Sequence, residues 1–152
     1  MTKLKCLIIP LTPLQQNCVL VFDEVTKRGA IVDPGGDVPT ILKAITQAGV
    51  TIEKILLTHG HIDHAGGAAE LRDALGVKIE GPHLDDLFLL NDLPKSGAKY
   101  GMADVRSVVP DRWLNDGDEV TVAGLKFSIL HAPGHSPGSV VFFDGDNRFA
   151  LM

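Results

Sequence analysis

The chain is short of positive charge. Its 152 residues carry 14 Lys and Arg against 19 Asp and Glu, a formal charge of −5. Because nucleic-acid affinity rests on cations neutralising phosphates, this balance argues against a nucleic-acid partner. Cysteine is scarcer still. Cys6 and Cys18 are the only two, and both fall in strand-like apolar runs, where they read as small buried hydrophobes rather than as a disulfide or a metal pair. No apolar run is long enough to span a membrane. Lys3 and Lys5 ahead of Leu7-Ile8-Ile9 have the outline of a secretory signal, but Pro10, Pro13 and Gln15-Gln16-Asn17 interrupt it too early, so a cytoplasmic location is expected. Repeats, low-complexity tracts and linkers are missing too, and 45% hydrophobic with 22% charged residues is the balance of one globular unit.

What the chain does have is an ordered succession of elements. Residues 4–10, 19–22 and 30–33 read as three short strands in an antiparallel opening, the last ending at Asp33-Pro34-Gly35-Gly36. Asp37 is placed to cap a helix with Pro39 in its first turn, an apolar face of Ile41, Leu42 and Ile45, and a stop at Gly49. A strand over 54–57 follows, then a helix over 67–75 ending at Gly76, a strand over 77–79 and a helix over 82–90. Residues 91–110, with Gly97 and Gly101, read as loop and as a flap over a site. Two hairpins close the chain: 120–122 with 125–130 around Ala123-Gly124, and 140–143 with 148–152 around Asp144-Gly145-Asp146-Asn147. In that second hairpin Phe143 is expected to pair with Arg148, and Ser139 to face Met152. The pattern predicts an α+β layered sandwich with its site on loops at one end of the sheets.

The chemistry is concentrated in Thr58-His59-Gly60-His61-Ile62-Asp63-His64, three imidazoles and a carboxylate directly after an apolar strand. Imidazole nitrogen and carboxylate oxygen are the ligands that Zn²⁺ selects, and an open position on such an ion makes hydroxide available near neutral pH. His59 and His61 are expected to face one ion, and Asp63 and His64 an adjacent one. A catalytic zinc site commonly has three protein ligands plus water, and His135, in the rigid loop Pro133-Gly134-His135-Ser136-Pro137-Gly138, is the best placed third donor. His83 reads as a solvated residue at a helix start, and His131 as a packing or hydrogen-bonding residue beside the site. Asp33 either orients a ligand histidine or caps its turn. Lys95, Lys99, Tyr100, Arg106 and Arg112 are candidate substrate contacts, with a solvated surface as the alternative for each.

His59-Gly60-His61-Ile62-Asp63-His64, together with Asp33-Pro34-Gly35-Gly36 and Pro133-Gly134-His135-Ser136-Pro137-Gly138, resembles the metallo-β-lactamase superfamily. Gln16-Asn17-Cys18 and Pro110-Asp111-Arg112-Trp113-Leu114 are similar to stretches of its compact bacterial hydroxyacylglutathione hydrolases, the glyoxalase II-like branch. The resemblance implies an αββα sandwich, of which residues 1–152 would be the N-terminal portion, incomplete at the C-terminus. It further implies hydrolysis of a glutathione thioester of the S-lactoylglutathione type by metal-bound hydroxide. One metal site is then complete (His59, His61, His135), and a second (Asp63, His64) lacks ligands, because members of the family continue with a bridging Asp and a further histidine. Asp63 would also orient the attacking hydroxide. Asp144 and Asp146 are expected to be turn residues roughly 15 Å away, at about 3.3 Å per strand residue. Zinc is the expected ion, with iron or manganese as substitutes. Three alternatives stay open: a mononuclear-iron persulfide dioxygenase, a β-lactam hydrolase, and a metal-binding fragment that does not turn over substrate. The partner is a small molecule, and an open sheet edge offers a route to a homodimer.

Overall fold

The structure, a computed structural model, describes residues 3–11, 16–102 and 105–151. Two sheets form its frame. The first contains β1 (Leu4–Leu11), β2 (Gln16–Asp23), β3 (Arg28–Val32), β4 (Thr51–Leu56) and β5 (Lys78–Glu80), in that spatial order. β1, β2 and β3 are antiparallel neighbours, whereas β3, β4 and β5 run parallel. Those parallel pairs need crossovers, which helices supply. α1 (Val38–Ala48) links β3 to β4, and α2 (Ile62–Ala65) with α3 (Ala68–Leu75) links β4 to β5. The second sheet is an antiparallel meander of β6 (Glu119–Val122), β7 (Leu125–His131), β8 (Val140–Asp144) and β9 (Phe149–Leu151).

Strand alternation builds two cores on one sheet. Leu20, Ile31, Ile55 and Ile79 face the helices and meet Ile41, Ile45, Ala68 and Leu71. Their neighbours Val21, Ala30, Val32 and Leu56 face the other way and pack against Val120, Val122, Phe127, Ile129, Val140 and Phe142. The first sheet is therefore covered on both faces, which suits its parallel half. The outer face of the second sheet shows Leu130 and Phe143 to solvent, and no helix covers that face among the described residues. The order is helix, sheet, sheet, three of the four layers expected.

Several expectations are corrected in detail. Asp37 stands at the N-cap of α1, but with a left-handed backbone (φ 49), and its side chain makes no capping hydrogen bond to the helix. Pro39 in the first turn and Gly49 at the C-cap are as expected. The helix expected over 82–90 is instead a 3₁₀ turn, Leu84–Asp86, followed by α4 (Leu87–Asn91). Part of the expected loop is also helical: α5 (Leu93–Lys99) accepts Pro94 because a first-turn residue has no intrahelical N–H bond to lose. Cys18 is fully buried, but Cys6 is exposed on the edge strand β1, and both are free thiols. The Ala123-Gly124 turn forms with both residues at positive φ, as a two-residue hairpin requires. The last hairpin has a different register: Phe143 pairs with Ala150 and Phe142 with Leu151. Arg148 adopts φ 51 and belongs to the turn rather than the ladder, which moves every pair by two residues. Met152, the expected partner of Ser139, lies outside the described residues.

Candidate metal centre

β3 and β4 are parallel neighbours in register Val32 with Leu56, so the segments leaving them emerge side by side. Asp33 leaves β3 and Thr58 leaves β4. One Asp33 oxygen accepts the Thr58 amide at 2.8 Å, and the other accepts the Thr58 hydroxyl at 2.6 Å and lies 2.9 Å from His64 Nδ1. The Thr58 hydroxyl has one proton, and Asp33 receives it. Its oxygen must therefore accept from His59 Nδ1, 3.0 Å away. This network assigns the tautomer: Nδ1 of His59 carries hydrogen and Nε2 presents a bare lone pair. That Nε2 is buried and has no hydrogen-bond partner. Leaving a buried polar atom unsatisfied costs roughly 1–3 kcal/mol, and an electrophile supplied from outside the chain would remove that cost.

His61 and His135 complete the surroundings of that lone pair. His61 Nδ1 and His135 Nε2 lie 3.2 Å apart, although 74 residues separate them in sequence. The rings of His59, His61 and His135 stand mutually edge-on, with centroids 4.7–5.0 Å apart and interplanar angles of 81–88°. One nitrogen from each falls within 4.8 Å of the others. Three lone-pair donors converging on one point, one of them otherwise orphaned, fit a divalent ion with an open position. The expected three-histidine set is brought together.

The second expected pair, Asp63 and His64, lies side by side. Residues 62–65 form the single helical turn α2, with His61 at its N-cap, a turn that sequence reasoning missed. His64 gives Nδ1 to Asp33 and turns Nε2 toward Asp63 Oδ2 at 3.6 Å. Among the described residues Asp63 joins no group of three or more donors within 4.8 Å of one another, whereas Asp33, His59 and His64 form one. Asp33 accepts three hydrogen bonds there, so it orients Thr58 and His64, the first of its two forecast roles. His83, Asp85 and His131 form a third group, but the His83 and His131 rings stack face to face at 4.0 Å and 7°. In-plane lone pairs on stacked rings run parallel and do not converge. His131 Nε2 holds the Pro137 carbonyl at 2.8 Å, the hydrogen-bonding role expected of it, whereas His83 is packed rather than simply solvated. Asp144 caps its turn, accepting from the amides of Asp146 and Asn147.

Electrostatics separate the histidines. Burial, with the nearby His64, lowers His59 to about 4, and burial with His135 lowers His61, so both favour the neutral form a metal requires. Burial alone would lower His64 too, but its hydrogen bond to Asp33 and the Asp63 charge raise it overall. The cluster opens to a cleft of about 430 Å³ walled by Ile62, Asp63, Leu89, Ser96, Lys99 and Tyr100. Of the five candidate substrate contacts, Lys99 and Tyr100 reach this cleft, while Arg112 is engaged with Glu80 and Arg106 with Asp73. Sequence reasoning missed the roles of Thr58 and of Asp86, a fully buried carboxylate; its place as the second of two adjacent carboxylates just ahead of the apolar run Leu87-Phe88-Leu89-Leu90 was its only trace.

Residues 11–152 match the model of the metallo-β-lactamase superfamily. The chain belongs to that superfamily. It is 40% identical over 145 residues to hydroxyacylglutathione hydrolase GloC of Haemophilus influenzae, covering 95% of this chain and 68% of that protein. It is 30% identical to a hydroxyacylglutathione hydrolase of Ectopseudomonas mendocina, spanning 44% of that protein's length. Among solved structures, BLEG-1 B3 metallo-β-lactamase superposes with a TM-score of 0.84 at 30% identity, over 96% of this chain and 70% of that one. A protein crystallised in a di-iron-bound form superposes at 0.82 and 33%, over 95% and 69%. The metallo-β-lactamase fold expected from the motifs is thus the fold of these neighbours, and the superfamily implies divalent-metal binding. No helix among the described residues is long and apolar enough to cross a membrane.

Proposed function

We propose that the chain is a cytoplasmic, metal-dependent hydrolase of small thioesters, of the S-lactoylglutathione type. The observation that carries the reading is the buried, partnerless Nε2 of His59 facing ring nitrogens of His61 and His135. His59, His61 and His135 would hold the ion, zinc by donor preference or iron as in the di-iron neighbour, and such an ion would supply a water with a pKa of about 7 and a Lewis acid for the substrate carbonyl. The rest is the chain's own work. Asp33, through Thr58, holds His59 in the tautomer that aims Nε2 inward. Asp63, on the cleft wall, accepts a hydrogen bond at a carboxylate oxygen from the attacking water or hydroxide and turns it toward the substrate. Lys99 and Tyr100 offer an ammonium and a phenol to the anionic end of a glutathione conjugate. A thiol with a pKa of about 8.5 leaves readily as thiolate, so no strong general acid is required of the chain. Asp63 and His64 would begin a second ion site.

Elemental analysis of the purified chain, alongside hydrolysis of S-lactoylglutathione, tests the reading. One tightly held ion per chain and thioesterase activity are expected, with both lost in His59→Ala. Two tightly held ions would overturn the single-site assignment. Metal binding without turnover would favour a binding fragment. Oxygen uptake with glutathione persulfide, or cleavage of a cephalosporin, would replace the thioesterase reading with one of its alternatives; the cephalosporin arm is motivated by the likeness to BLEG-1.

A further inference from the structure

Asp86 lies between the two loops that carry the three histidines and touches both. Its Oδ2 accepts the Gly60 amide at 2.9 Å and the Ser136 hydroxyl at 2.8 Å, and its Oδ1 accepts the Gly138 amide at 2.7 Å. Gly60 stands between His59 and His61, Ser136 adjoins His135, and the carboxylate has no exposed surface. A buried charge is costly unless fully hydrogen-bonded. Here every bond that offsets the cost comes from one of the two histidine loops. The approach is tight as well: a Cβ at Gly138 would fall 2.7 Å from Asp86 Cγ and 2.6 Å from its amide nitrogen. Because the Ser136 proton goes to Asp86, its oxygen accepts from the Ser139 hydroxyl at 2.7 Å, extending the network to the start of β8.

We infer that Asp86 is the positioning residue of the centre, a carboxylate clamp that sets the separation between the His59–His61 loop and the His135 loop and so tunes metal affinity without touching the ion. The inference rests on the three-histidine reading above. Asparagine is the informative replacement, since it keeps the shape of the side chain but cannot satisfy all three donors. With its oxygen toward Gly60 and Ser136, its amide group faces the Gly138 N–H; flipped, it faces the Gly60 N–H. Either way one donor meets another, and the loops must part.

The test is titration of the metal-free full chain with Co²⁺ and Zn²⁺, followed by cobalt d–d absorption and by the amide resonances of Gly60 and Gly138, for wild type and Asp86→Asn. The expected result is a 10- to 100-fold loss of affinity, the usual range for outer partners of metal ligands, with an altered cobalt spectrum and upfield movement of both amides. Affinity within about twofold of wild type would overturn the inference even if the melting temperature fell, since a twofold change lies well below that range. If wild type itself takes up neither ion, the metal reading fails and the affinity claim with it; unmoved amides in Asp86→Asn would show separately that the clamp is absent. Should Asp86→Asn not fold, Ser136→Ala, which deletes one of the three bonds, is expected to weaken binding roughly threefold to tenfold, and unchanged affinity there would equally overturn the inference.

Discussion

The two loops that meet at the centre are built in opposite ways. The His59–His64 loop is embedded. Thr58 and His59 are buried, Asp33 grips the loop from the neighbouring strand end, and the β3–α1 turn presses on it so closely that a Cβ at Gly35 would lie 1.8 Å from the Asp63 carbonyl oxygen. The loop bearing His135 is mostly exposed over residues 132–135, and a Cβ at Gly134 would meet nothing within 4 Å. One half of the donor set is fixed by packing and the other hangs from a few directed hydrogen bonds. The contrast teaches that a preorganised site needs its ligands held, not necessarily buried, and that the exposed half is where geometry can be adjusted.

The sharpest way to break this contrast is a matched pair of glycine substitutions. Gly35→Ala is expected to destabilise the protein by about 3 kcal/mol or more, because backbone on both sides must move. Gly134→Ala should stay within roughly 0.5 kcal/mol. Urea unfolding measures both, and equal effects would abolish the distinction. Next in size is Asp33→Asn, which keeps the left-handed backbone (φ 56) tolerable while removing the charge that Thr58 and His64 share. A loss of about 2–3 kcal/mol is expected, and an NMR titration should find His64 shifted down; an unmoved His64 would mean that Asp33 does not orient it.

The smallest effect is the pH dependence of the metal-free protein. His59 is depressed to about 4 when folded, so the unfolded chain binds the extra proton, and the stability this residue contributes is present above about 6.5 and lost as pH falls toward 4. Between pH 6.5 and 5 the loss should be about 1.5–2 kcal/mol, with His61 acting in the same direction. His64, raised when folded, contributes in the opposite sense: its share is complete below about 6.5 and fades as pH rises through its folded value. A flat stability profile between pH 5 and 6.5 would show that His59 is not held neutral by its surroundings.

The three-histidine set was legible because its residue types, spacing and strand-end position all pointed to the same chemistry, and the antiparallel opening and the Ala123-Gly124 hairpin were legible because period-two alternation and turn residues are local signals. The α5 helix was not, since Gly97 and Gly101 read as breakers and its stability comes from burying Leu93 in the helix-side core, which no local window contains. The last hairpin slipped by two because nothing in Asp144-Gly145-Asp146-Asn147 says that Arg148 will take a left-handed conformation. Thr58 and Asp86 escaped notice for a deeper reason. Their roles exist only through partners 25 to 52 residues away, and a hydrogen-bond relay has no periodicity to read.

Strand β4 sends Ile55 to the helical core and Leu56 to the inter-sheet core, and delivers the first histidine three residues later. The centre is thereby locked to the parity of one strand. Inserting a single residue ahead of Ile55 with no bulge to take it up would exchange the allegiance of these side chains and spin the whole ligand cassette to the wrong side of the sheet, whereas adding two would restore the facing and merely lengthen the approach. A single added residue keeps the chemistry only where a bulge absorbs it, as one already does between Ile52 and Lys54, which lets Ile52 and Ile55 share the helical core.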